Sequence, residues 1–115
     1  MAQGQVPVKR YTPLRRVGLA RLRRERGLED PKYLKFIRSL PCAICGACLV
    51  EAAHVGVRGF GIRCSDRETI PLCPGHHRTR QDAHHVLGKH FWEYHGVDRW
   101  ELIQRYNSAY DVIAA

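Results

Sequence analysis

Two short ligand pairs, Cys42-x2-Cys45 and Cys73-x2-His76, constrain this chain more than any other feature. Each sets two metal-binding side chains across one tight turn, and a tetrahedral structural zinc needs two such turns brought together. The segment between the pairs is long enough to be a hairpin, so Zn2+ on Cys42, Cys45, Cys73 and His76 would staple the base of two strands. At 115 residues there is room for one domain with a limited core, and folding coupled to metal would help it. Ordinary buried cysteines and a redox CxxC are the competing readings. The redox reading suits the setting poorly, because Cys42 follows a helix and a proline rather than a strand. Cys48 and Cys64 are spare, and Cys45-x2-Cys48 is an alternative pairing, although Gly46 directly after Cys45 suits the first. An odd number of cysteines, 5, and no visible secretory leader lead to the expectation of a reducing, cytoplasmic address.

Around the knuckles the chain alternates helix and strand signals. Leu14, Val17, Leu19 and Leu22 lie among arginines in a weakly amphipathic helix, about Leu14 to Leu28, that Gly27 could end. Asp30-Pro31 predicts an N-cap and first-turn proline. Tyr33, Phe36, Ile37 and Leu40 then fall on one helical face that Pro41 stops. Leu49 to Val55 and Glu68 to Leu72 predict two antiparallel strands, joined by a loop containing Gly56, Gly59 and Gly61. A helix is expected to start within Cys73–His77. Leu87, Phe91 and Tyr94 mark another that Gly96 ends. Asp98 and Glu101 resemble a capping box for a last helix through Trp100, Ile103 and Tyr106, with a frayed tail from Tyr110. Phe91, Trp92, Tyr94, Trp100 and Tyr106 are expected in the core. The fold class is small α+β.

Charge divides the chain. Residues 1–38 hold eleven Lys/Arg against three acids and carry the whole net charge of +8, whereas residues 39–115 balance at eight of each. A basic arm over 1–30, with Lys9, Arg10, Arg15, Arg16, Arg21, Arg23 and Arg24, suits a polyanion, because neutralising phosphates releases counterions. The arm has few large apolar residues to insert into a membrane surface. No apolar run is long enough to span a bilayer, so DNA, not membrane, is the expected partner.

With the segments Pro41-Cys42-Ala43-Ile44-Cys45-Gly46, Glu51-Ala52-Ala53-His54-Val55 and Pro71-Leu72-Cys73-Pro74-Gly75-His76-His77 in view, residues 34–107 resemble the HNH endonucleases, also called ββα-metal or His-Me finger nucleases. Ser65-Asp66, Phe91-Trp92 and Gly96-Val97-Asp98 make the likeness closest to the small HNH proteins of phages and prophages, some associated with recombination. The resemblance implies a zinc-stapled ββα finger over 31–110, flanked by the basic arm and C-terminal helices, with a tail at 111–115. It implies hydrolysis of DNA phosphodiesters, with His54 as general base and a second divalent ion such as Mg2+ or Mn2+ held by His77 and His85. Arg58 or Arg63 would add charge at the phosphate. His84 is the alternative to His85. Recombination or phage replication proteins become candidate partners, and a homodimer is one way for a single site to cut both strands.

The chain departs from that pattern at two places. Ala53 stands where many members carry Asp or His as a metal ligand. The central Asn is absent, its place falling on Glu68 or on nearby Asp66. A carboxylate there would tie the loop by accepting backbone N–H bonds. A zinc-finger DNA-binding module that lacks the chemistry is the rival reading.

Overall fold

The computed structural model describes residues 18, 21–57 and 63–115. Lys9, Arg10, Arg15, Arg16 and Arg58, the first part of the arm helix, and Gly59 and Gly61 lie outside the described residues. Residues 21–25 are helical, and Gly27 follows with φ +68°, a left-handed stop that favours glycine.

Helix α1 spans Pro31–Arg38. The Asp30 side chain accepts from the Tyr33 amide at 3.1 Å and Pro31 fills the first turn, as the sequence predicts. Tyr33 and Ile37, one turn apart, are completely buried. Strand β1, Glu51–His54, pairs antiparallel with β2, Thr69–Leu72, in the register Glu51↔Leu72, Ala52↔Pro71, Ala53↔Ile70 and His54↔Thr69. Both strands are shorter than expected. Leu49 stays largely exposed, and a 3-10 turn at Asp66–Glu68, capped by Ser65, takes up Glu68.

A two-stranded hairpin is marginal alone. Here it is covered, with Ala53, Val55, Ile70, Leu72, Phe91, Leu102 and Ile103 forming one core cluster. Pro71 donates no backbone hydrogen bond, but its carbonyl accepts from the Ala43 amide at 2.8 Å and so ties β2 to the first knuckle.

The C-terminal half corrects three expectations. After the second knuckle the chain makes one π-helical turn, Gly75–Thr79, and becomes extended at Arg80. Helix α2, His84–Leu87, is therefore separate from it. A 3-10 turn at Gly88–His90 leads into α3, Phe91–His95, which ends at Gly96 with φ +67°. Phe91 is buried and Trp92 and Tyr106 are half-buried, but Tyr94 and Trp100 are exposed rather than core. Finally, α4 runs from Arg99 to Ala114, with the Asp98 side chain capping the Glu101 amide. Nothing frays at Tyr110. Its ring packs edge-on against Tyr33 at 5.1 Å, and Asp111 accepts from Arg67 at 3.0 Å.

Among the described residues, no helix is long and apolar enough to cross a membrane.

Candidate functional site

The two knuckles meet. One ligand atom from each of Cys42, Cys45, Cys73 and His76 lies within 4.8 Å of all the others. Zinc–sulfur bonds of about 2.3 Å in a tetrahedron place sulfurs about 3.8 Å apart. Cys45 Sγ and Cys73 Sγ are 3.8 Å apart, and Cys73 Sγ is 3.3 Å from His76 Nδ1. Donor set and spacing fit, so the group could hold a structural metal such as zinc. Gly46 at φ +77° closes the first turn, and its amide bonds the Cys42 carbonyl at 2.9 Å. The amides of Ile44 and His76 each approach a cysteine sulfur at 3.4 Å. Burial pushes the Cys42 thiol up, but the amides of Cys45, Cys73 and Ile44 outweigh it and leave the thiol below its ordinary value.

Asp82, which sequence reasoning missed, stands behind this group. Its carboxylate lies 3.6 Å from His76 Nε2, on the ring edge away from the cysteines, and its carbonyl accepts from His95 Nε2 at 2.9 Å. Ligating imidazoles are commonly oriented in this way. Cys48 is exposed, and Cys64 is buried with its thiol held up by that burial; neither belongs to the group.

His54 closes β1 at the other end. Its Nε2 is 2.7 Å from Asp66 Oδ1. The same oxygen accepts from Arg23 Nη2 at 2.7 Å, and Oδ2 accepts from the Asp30 amide at 2.8 Å. Burial lowers the His54 pKa from its ordinary value although Asp66 pulls the other way. Burial pushes the Asp66 carboxyl up, but the bonds from His54 and the Asp30 amide prevail and leave it below the usual carboxylate value. A cleft of about 350 Å³ opens beside them, lined by Arg23, Arg38, Ala52, His54, Arg63 and Asp66 among others. Of the two residues considered for the missing Asn, Asp66 makes the backbone tie, to Asp30. Glu68 instead packs its side chain over Gly56, where any Cβ would collide with it. That explains Gly56 by packing.

His77 and His85 form a third group. Their ring centroids are 4.5 Å apart, because the break at Arg80 folds α2 back on the π-helical turn. His77 Nδ1 lies 2.7 Å from Glu51 Oε1, and Arg78 grips the same carboxylate with bonds of 3.0 and 2.7 Å. The Arg78 bonds, with His77, draw the Glu51 carboxyl down to about 2. His84 turns inward against Phe91 and Trp92, with no partner for Nδ1, and burial pushes its pKa down to about 4.

Glu51 and His54 are three residues apart, so about 10 Å of extended backbone separates them and strand alternation points them to opposite faces. Ala53, completely buried opposite Ile70, is core. Among the described residues the Cys3His set is the single group that meets the spacing for a metal ion.

The arm contributes an unexpected part. Arg21 and Arg24 are exposed, but Arg23 is buried and donates to the carbonyls of Arg63 (2.7 Å) and Cys64 (2.9 Å) as well as to Asp66. It is therefore not available to phosphate in the way expected of it. In the sequence it follows Leu19 by four residues, a helical repeat that puts it on the apolar side, and its charge obscured that signal. Arg63 is exposed at the cleft.

Residues 17–112 match the family model described as "Protein of unknown function (DUF968)", and the chain belongs to that family. No curated protein and no solved structure matches it.

Proposed function

We propose that this member of the DUF968 family is a zinc-stapled, metal-dependent DNA endonuclease of HNH type. The observation that carries the reading is the His54–Asp66 pair beside a cleft lined by Arg23, Arg38 and Arg63. With an ionised carboxylate on Nε2, that nitrogen holds the proton and Nδ1 keeps the lone pair of a base. Burial lowers the His54 pKa and so favours the neutral imidazole that a base requires. His54 takes a proton from water, the hydroxide oxygen bonds the phosphorus, and the bond to the 3′-oxygen breaks, that oxygen taking a proton from solvent to leave as a hydroxyl. Arg63 balances charge on the phosphate. His77 and His85 would hold a divalent ion such as Mg2+ or Mn2+, whose chemistry would be neutralisation of phosphate charge, but they lie beside Glu51, on the face of β1 opposite His54, and none of these steps runs through that ion.

The second reading is a zinc-bearing DNA-binding module without the chemistry. It is favoured by the burial of Ala53 and by the distance along β1 between Glu51 and His54. Plasmid nicking with Mg2+, Mn2+ or EDTA separates the two. Metal-dependent nicking that vanishes in a folded, DNA-binding His54→Ala supports the nuclease. Binding without nicking in any metal supports the module.

A further inference from the structure

We infer that Arg23 and Asp66 act as a positioning pair for His54, so that Arg23 of the arm is a built-in part of the site. The inference rests on the nuclease reading for its purpose, but its geometry stands apart from it.

Asp66 is 4% exposed and Arg23 is 7% exposed, so neither is a solvated surface charge. A buried guanidinium needs most of its donors answered. Arg23 answers them with one carboxylate and two carbonyls, at the end of the glycine loop and just before β2. Asp66 in turn is held from three sides: Arg23 from the arm, the Asp30 amide at the start of α1, and His54 from β1. The Asp66 amide also donates to the Leu28 carbonyl at 2.8 Å, which fixes the chain joining arm to α1. A carboxylate so constrained cannot swing away from Nε2, and Arg23 favours its ionised form. The imidazole is left one orientation and one tautomer, Nε2–H, with Nδ1 basic.

The charged groups around His54 are Arg23 from the arm, Glu29 from the link to α1, Arg38 from α1, and Arg63 and Asp66 from the segment before β2. Two opposing changes separate positioning from bulk stability. In Asp66→Asn the carboxylate that favours imidazolium is gone, and His54 should titrate at lower pH. In Arg23→Gln a nearby positive charge is gone, and His54 should titrate at higher pH.

The test is long-range 1H–15N correlation NMR on the zinc-loaded full chain, following His54 across pH, with nicking pH profiles on the same samples. The expected result is the Nε2–H tautomer in the wild type, with titration moving down in Asp66→Asn and up in Arg23→Gln. The acid limb of kcat should move in the same directions, with kcat in Asp66→Asn falling about tenfold or more and KM for DNA little changed. A wild-type His54 in the Nδ1–H form overturns the inference whether or not the variants fold. So does a folded Asp66→Asn with unaltered tautomer and titration. Correct tautomer and shifts without nicking in any metal would uphold the positioning pair and remove the nuclease reading.

Discussion

The two ends of the hairpin are held by opposite chemistries. At the Glu51–Leu72 end, four soft or borderline ligands arrive as two local pairs, and the backbone turns that carry them are self-contained. At the His54–Thr69 end, the holding groups are charged and buried, and they come from far apart: Arg23 is 43 residues from Asp66, and His54 is 12. The first end presents a group that could hold an ion such as zinc to join its parts. The second carries its own counter-charges. The contrast suggests that the metal end sets whether the domain folds, while the ionic end sets how one histidine is presented.

The sharpest way to break that contrast is at the metal end. Stripping zinc, or Cys73→Ser, should abolish cooperative unfolding, because structural zinc contributes on the order of 10 kcal/mol to such folds. Calorimetry with verified metal content checks it, and an unchanged melt would put both ends on the same footing. Asp66→Ala comes next. It leaves the Arg23 guanidinium buried without its carboxylate and should cost about 3–5 kcal/mol in urea unfolding, with zinc still bound.

Smaller effects sharpen the picture. The folded Glu51 carboxyl titrates at about 2, below its unfolded value, so its contribution is complete above the unfolded pKa of about 4.3 and is lost as pH falls toward 2. Being partly exposed, it should account for less than about 1 kcal/mol. Comparing acid unfolding of Glu51→Gln with the wild type reads it directly, since the variant should lack that part of the slope. The last effect touches binding rather than stability. Neutralising Lys9, Arg10, Arg15 and Arg16 should flatten the salt dependence of DNA affinity by about 0.9 for each phosphate the arm no longer neutralises. An unchanged slope in fluorescence anisotropy would show that these residues do not touch phosphate.

The same contrast explains what could be read from the sequence. The Cys3His group, the Asp30 cap, the strand pair and the Gly96 stop all rest on residues a few positions apart, where spacing alone fixes geometry. Arg23, Asp82 and Glu51 acquire their roles only through tertiary packing, so an arginine in a basic arm looked like another phosphate ligand. The break at Arg80 carries no proline or glycine to mark it, so its position could not be read from local chemistry. The length of α4 was missed because Asp111 and Tyr110 are secured by Arg67, Tyr33 and Phe36, distant in sequence.

The seat of Arg23 also implies an order of events. The carbonyls of Arg63 and Cys64 and the carboxylate of Asp66 are synthesised 40 to 43 residues after the side chain they receive. On a ribosome, the arm therefore emerges long before there is anything for it to dock on, and pairings of such separation close late. The segment that carries Arg23 is made before the residues that seat it, and is among the last to find its place.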